Sequence, residues 1–470
     1  MIKIGLEIHC QLTTLNSKLF CSCAANYRKY EPNLNTCPIC LGMPGTLPLI
    51  NKNAIEKAIM LALAFNCKIP NKIMFYRKNY FYPDLPKNFQ ITQLNIDDCY
   101  TSIGYDGRLK LQNKFIQISR IQLEEDPGRI NYVKISDKSK LTLIDYNRSG
   151  IPLIEIVTQP DFVNNVEVKE FLEYLYNMLI YLDISDPTLT GSLRTDVNIS
   201  TDGHGKVELK NINSLHDLAK AVNFEIIRQR NFINRGMEIQ QETRHWDERR
   251  KITIAARNKE SEQDYRYFVE QDIPAVLITN NLISKLRHTM PESIIYKKSK
   301  YLKFGIPNQV LDTILSNPYY IKLFENSCNE KNAKHIANII ATDLVRYLNT
   351  KEKISQSKLT SQHLVKLSYL INHNKIKRDL IKNVLHEAIV TGMSIDDILT
   401  KLNLEQVDDI DKISMIIDNI IISESKLIKQ IHNNPNAINY LIGKIMKKIG
   451  NVQPQMILTL LKSKLKIDNN

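Results

Sequence analysis

Glycine is scarce, at 15 residues in 470, and tryptophan occurs once, as Trp246. So little glycine excludes collagen-like and glycine-rich low-complexity chains. No apolar run approaches the roughly 20 residues that a membrane-crossing helix needs. There is no Walker-type phosphate loop, since Gly203-His204-Gly205 reads as a hairpin turn. Solenoid repeats and low-complexity tracts are also missing. Met1-Ile2-Lys3-Ile4 runs straight into patterned sequence with no secretory or transit segment, so the expected location is cytoplasmic.

What is present fits a folded globular protein: 43% hydrophobic and 24% charged residues exclude wholesale disorder. The length predicts about three domains. Lysine and arginine number 63 against 50 acids, a net charge of +13, which favours an anionic partner with nucleic acid as the first candidate.

The eight cysteines are unevenly placed, with Cys21, Cys23, Cys37 and Cys40 inside one short stretch and Cys10, Cys67, Cys99 and Cys328 apart. A disulfide framework suits short secreted chains. Two close thiolate pairs separated by 13 residues can instead close a tetrahedral site, for which zinc is the expected ion. With all four positions filled by protein such an ion is structural. The competing reading is four structural cysteines without metal.

The texture changes near residue 290. Before it lie short alternating segments and the cysteine cluster; after it, Leu/Ile-rich stretches (302–348, 359–390 and 395–465) recur at helical spacing. A second break is expected near Thr400, where Asp408, Asp409 and Asp411 precede a tail with eight lysines and one acid, Asp468, from residue 426 onward. The domains expected are therefore 1–291, 292–400 and 401–470, in an α+β chain whose front sheet is antiparallel and whose remainder is helical. Alternation in residues 2–9 puts Glu7 and His9 on one face. The same rule groups Arg194, Asp196 and Asn198, and pairs Glu208 with Lys210. Two helices are predicted, over about 166–182 and 215–234, the second capped by Ser214 with Gly236 past its end.

Glu124, Glu125 and Asp126 form a carboxylate triplet, and Glu155 sits in the apolar run Pro152–Val157. An ionised carboxylate there requires a partner or a cation. Carboxylates with one imidazole suit Mg²⁺ or Mn²⁺. Pairing of Glu155 with an arginine such as Arg148, and a solvated turn for the triplet, explain the same residues, and spacing does not choose. Residues 76–86 and Asp264 to Phe268 mix bases with aromatics, suiting either nucleotide contact or a packed loop. His204 and His335 have no visible partner in sequence.

Taken together, Gly5 to His9, Lys18 to Cys21, Cys37 to Gly45, Arg77 to Pro86, Leu123 to Gly128, Asp145 to Glu155, Gly191 to Asn198, Glu208 to Ser214, Gln241 to Arg244 and Asp264 to Phe268 resemble, in order, the signatures of the B subunits of the tRNA-dependent amidotransferases. The resemblance implies a glutamine synthetase-like cradle with a zinc knuckle, a helical domain and a small helical tail that binds tRNA. It implies ATP-dependent conversion of Glu-tRNA(Gln) or Asp-tRNA(Asn) to the amide, through phosphorylation of the side-chain carboxylate. Ammonia would come through a channel from a separate glutaminase (A) subunit, with a small C subunit completing a heterotrimer. It places Glu7, His9, Glu125 and Glu155 around Mg²⁺, with Glu124 the less favoured neighbour. Lys78, Arg194 and Lys210 would meet ATP phosphates or the acyl phosphate, and Asp196 and Glu208 a second ion. Cys21, Cys23, Cys37 and Cys40 would hold Zn²⁺.

Departures from that pattern are Asn88 in place of a small residue, Gln122 in place of a histidine, and Thr190 in place of an acid. Lys444, Lys447, Lys448, Lys462, Lys464 and Lys466 suit phosphate contacts, or a solvated helical face. The related E subunits carry an extra domain for which residues 278–293 leave no room. The alternative function is a non-catalytic, zinc-containing tRNA-binding scaffold. No glutaminase nucleophile motif is present.

Overall fold

A computed structural model describes residues 1–96, 99–136, 139–210, 212, 214–257, 265–376, 378–402, 404, 410–424, 436–449 and 454–465. Asp264, Asp408, Asp409, Lys466 and Asp468 lie outside the described residues. Two compact units are present, Met1–Ile294 and Ile295–Asn470.

In the first unit the strands are, in chain order, β1 (Ile2–Gln11), β2 (Lys72–Ile73), β3 (Tyr76–Asn79), β4 (Phe89–Thr92) and β5 (Gly104–Lys110). They continue with β6 (Phe115–Asp126), β7 (Arg129–Ser136), β8 (Ser139–Asp145), β9 (Ile151–Thr158) and β10 (Leu193–Thr201). The last are β11 (Val207–Lys210), β12 (Glu242–Asp247), β13 (Ile252–Arg257), β14 (Phe268–Val269) and β15 (Val276–Leu277). Eight of them form one sheet in the order β13-β12-β11-β10-β1-β9-β6-β5. Its neighbours run antiparallel except β11 and β12, which are parallel because the chain between them returns through a helix. A small sheet β14-β3-β4 and a β7-β8 ribbon complete the strands that bear on the site.

Alternation decides which face each side chain takes. In β1, Ile2, Ile4, Leu6, Ile8 and Cys10 are buried, while Glu7 and His9 are half-exposed on the other face. The covered face is roofed by α1 (Lys52–Ala64), which packs on β5 and β6, and by α3 (Leu215–Asn234), which packs on β10 and β13. Between α1 and α3 in sequence, α2 (Asn165–Tyr181) lies against α3. Their first turns are capped by side-chain acceptors from Asn51, Asn164 and Ser214, each taking an N3 amide hydrogen bond. Phe65, Phe162 and Phe171 are fully buried in this layer, with ring centroids 6.1 Å apart for Phe65–Phe171 and 5.4 Å for Phe162–Phe171. Gly107 on β5 permits the close approach of the segment that follows α1, because a Cβ there would collide with Cys67 Sγ and lie 2.9 Å from the Phe65 carbonyl.

Among the described residues the second unit is built of helices, beginning with Ile294–Leu302, whose first residue closes the first unit. Among the described residues its last three helices, Ile410–Ser423, Asn436–Ile449 and Pro454–Leu465, share a core of Ile413, Ile417, Ile420, Leu441, Ile445, Ile457 and Leu461. The chain therefore has the α+β arrangement expected of it, with an N-terminal sheet domain and a C-terminal helical region. No helix of the described residues is long and apolar enough to cross a membrane.

Deleting the Phe171 ring opens a cavity between Phe65 and Phe162. Phe171→Ala should lower unfolding stability by about 3–5 kcal/mol, read from the urea midpoint; a loss under about 1 kcal/mol would show that the helical layer around Phe171 is not a packed core.

Candidate active site

The uncovered face of the sheet is a charged basin of about 650 Å³. Sheet register sets its pattern. His9 lies opposite both Arg194 of β10 and Glu155 of β9, and Glu155 lies opposite Gln122 of β6, making one row across four strands. In the next row on this face Glu7 faces Asp196, and in the row beyond it Asn198, opposite Gly5, faces Glu208 on β11. Lys78, Tyr80, Glu124, Lys210, Tyr265 and Tyr267 close the walls.

Donor atoms of Glu7, His9 and Glu155 all fall within 4.8 Å of one another. His9 Nε2 is 3.4 Å from Glu124 Oε1 and 3.9 Å from Glu7 Oε1. Glu155 accepts from Gln122 Nε2 and stands 3.5 Å from Arg120, not Arg148. Arg148 donates instead to the carbonyls of Pro127 and Gly128, at 2.9 and 2.7 Å.

Glu125 does not join this group, which corrects the placement expected from sequence. Its side chain points through the sheet to the other side, 3% exposed, where Lys87 Nζ and the Ile91 amide donate to it, the latter at 2.8 Å. Glu124 takes the position instead. The reason is local phase: Ile121 and Leu123 are buried against the core, so Gln122 and Glu124 share the open face and Glu125 follows the aliphatics.

Crowding of carboxylates shows in their protonation. Burial, the Glu155 charge and Glu7 together raise Glu124 to about 8, against Lys78 and Arg194. Glu155 is also raised, first by burial, with Glu7 adding and Arg120 opposing. Burial lowers His9, only partly countered by Glu7. Buried acids crowded in this way are the condition that a bound divalent ion relieves, and the oxygen-rich donor set suits a hard one.

The bases are arranged to receive anions. Arg194 is held by Asp126 at 2.8 Å, and Asp126 is itself fully buried. The Arg194 Nε is buried and, among the described residues, has no hydrogen-bond partner. Lys210 Nζ sits 2.9 Å from Asp196 and 3.6 Å from Glu208. The Lys78 ammonium lies 4.5 Å from the Tyr265 ring centroid, tying the two base-and-aromatic segments together at one wall.

Behind β4 lies a second cavity of about 270 Å³, lined by Phe20, Cys40, Met43, Lys87, Phe89, Ile91 and Glu125. One of its walls is the cysteine cluster, whose four sulfurs lie within 4.8 Å of one another. Cys40 is pulled down to about 4, first by the hydrogen bond from Cys21 and then by Lys18, while Cys21 is pushed up. Four sulfurs at this spacing fit one tetrahedral soft-ligand ion.

Residues 2–284 match the family model described as the GatB/GatE catalytic domain, and residues 322–465 match that described as the GatB domain. Over 99% of both chains, the sequence is 40% identical to the B subunit of the aspartyl/glutamyl-tRNA(Asn/Gln) amidotransferase from Saccharolobus solfataricus. Its namesake from Sulfolobus acidocaldarius is 41% identical over 99% of this chain and all of its own. That of Caldicellulosiruptor saccharolyticus is 38% identical over 99% and 98%.

A raised Glu124 gives a signed pH dependence. The folded state holds a proton that the unfolded carboxylate releases near its ordinary value, so this contribution to stability is present at acidic pH and lost as pH rises through about 8. Melting temperatures taken without added divalent ions, from about pH 5 to about pH 9, should fall less steeply for Glu124→Gln than for the unaltered chain. Equal slopes would refute the crowding.

Proposed function

Because this chain belongs to the family of GatB/GatE catalytic-domain proteins, with the B subunits of aspartyl/glutamyl-tRNA(Asn/Gln) amidotransferases as full-length relatives, we propose that it is the ATP-dependent transamidating subunit of such an enzyme. Its substrate is tRNA(Gln) or tRNA(Asn) carrying glutamate or aspartate. The observation that carries this reading is the open sheet face, where crowded carboxylates around His9 adjoin Arg194, Lys78 and Lys210. A surface that gathers an acid cluster and basic groups within one basin suits a divalent ion with a nucleotide triphosphate.

Glu7, His9 and Glu155, with Glu124 beside them, are the residues that would hold Mg²⁺, which supplies charge neutralisation on the transferring phosphoryl group. Asp196 and Glu208 would hold a second ion, in competition with Lys210, which pairs with both. A carboxylate is a poor electrophile because its oxygen leaves badly. Phosphorylation by ATP converts that oxygen into part of a phosphate leaving group; ammonia then attacks the carbonyl carbon, and the amide forms as inorganic phosphate departs. Arg194, fixed by Asp126 and with Nε unpaired among the described residues, is set to receive the phosphate oxygens; Lys78 and Lys210 line the same basin. Tyr80, Tyr265 and Tyr267 offer stacking surfaces for a base or for the terminal nucleotide of the tRNA.

Ammonia must arrive unprotonated and shielded from water. The second cavity, lined by Phe89 and Ile91 while Gln90 and Thr92 line the basin on the other side of β4, is the approach we assign to it. Its source is a separate glutaminase subunit, and a small C subunit completes the enzyme. Cys21, Cys23, Cys37 and Cys40 would hold a structural Zn²⁺.

Residues 292–400 form the helical domain and 401–470 the tail in this reading, with the tail contacting tRNA. Two of the tail lysines are engaged within it: Lys444 with Glu424 and Lys464 with Asp418. Phosphate contact by these two requires exchange of one anion for another.

Glu155→Gln should reduce ATP-dependent transamidation by the assembled enzyme by about 100-fold or more, with tRNA affinity unchanged. Retained turnover would overturn the basin as the reaction site. Glu125→Gln should leave Mn²⁺ binding by the basin intact, read by titration calorimetry, whereas Glu124→Gln weakens it; the reverse result would restore the sequence-based choice. Removing residues from about 401 onward should weaken tRNA binding and flatten its salt dependence, and unaltered binding would remove the tail from the interface.

A further inference from the structure

Lys18 is 0% exposed, an unusual place for a lysine. Its Nζ donates to the Asn35 carbonyl at 2.9 Å and approaches Cys40 Sγ at 3.6 Å. Among the described residues no carboxylate forms an ion pair with it, and the nearby acid, Glu125, is engaged by Lys87. A buried ammonium without an anion costs several kcal/mol, enough to exclude it from most cores. The backbone leaves it no escape: the Lys18 amide donates to the Cys23 carbonyl at 2.8 Å, and its own carbonyl accepts from Asn51 Nδ2 at 3.3 Å.

We propose that Lys18 is the internal counter-charge of the four-cysteine centre, a positioning residue whose ammonium holds the metal-bound thiolates against burial. This rests on the zinc reading above. Four thiolates and one divalent ion carry a net charge of two minus, itself a buried anion in need of compensation. The ammonium reduces that charge and directs one N–H at Cys40, in the way that donors around a metal site orient its ligands. Each half explains the other. The lysine tolerates burial because the sulfurs are thiolates, and the thiolates tolerate burial because the lysine is there.

The test is the rate at which the purified amidotransferase complex surrenders zinc to a chromogenic chelator. Lys18→Met keeps most of the volume and removes the charge; it should release zinc about 10- to 100-fold faster. Lys18→Arg keeps the charge and should stay within about threefold of the unaltered rate. Release by Lys18→Met at the unaltered rate would overturn the proposal. So would equally fast release by both variants, which would mark a packing defect. Should Lys18→Met fail to assemble, Co²⁺ substituted into the unaltered complex gives a second reading. Charge-transfer intensity for three or four thiolates supports the counter-charge, since the centre is then a net anion; two or fewer overturns it, because a divalent ion with two thiolates is neutral and the ammonium would lack its anion. If the unaltered complex holds no metal, the zinc reading itself falls. Equal release rates from metal-loaded proteins would sink only the role of Lys18.

Discussion

Four adjacent strands deliver side chains of opposite sign to one solvent-facing surface, and sheet register dictates which of them touch. Gln122, Glu155, His9 and Arg194 stand side by side because β6, β9, β1 and β10 are hydrogen-bonded in that order and phase. None of the four is a sequence neighbour of another. A helix or loop could bring such groups near one another, but a sheet fixes their separation by its strand spacing. The electrostatic tension that results, with burial and neighbouring charge raising both Glu124 and Glu155, is a property of the ladder as much as of the residues.

Much of this arrangement was legible because alternation is a two-residue code. Glu7 with His9, Arg194 with Asp196, and Glu208 with Lys210 could each be assigned to a face from one strand alone. Pairing between strands could not, since register is set by long-range hydrogen bonding. The family resemblance supplied the grouping that periodicity lacked, and Glu125 shows where that borrowed grouping went astray. A bulge between Ile118 and Arg120 resets the phase of β6. Read from Ile116 and Ile118, the pattern predicts one face; read from Ile121 and Leu123, it predicts the other. The later pair was the relevant signal, and it assigns Glu124 to the basin. Lys87, Arg120 and the buried environment of Lys18 carried no local signature, because each matters through a partner distant in sequence.

The helical unit was recognisable as helical for a simpler reason: its apolar residues recur at helical spacing. The tail lysines were less transparent. Composition shows an excess of base from residue 426 onward, but not that Lys444 and Lys464 are matched by Glu424 and Asp418. Net charge says how a segment attracts a polyanion from afar, while local pairing decides what must be displaced at contact.

Gly150 joins several of these parts. Its φ of +83° lies where a side chain is strained, and a Cβ there would face Cys40, Lys18 and Glu125 at 3.5 to 3.8 Å. Its carbonyl takes the Leu19 amide and its own amide reaches Asp126, both at 2.9 Å, one residue before the strand bearing Glu155 begins. An oxidant that joined these thiols would thus disturb a hinge pin shared with the wall of the basin, making the cysteines a point of chemical vulnerability for a surface to which they contribute no side chain.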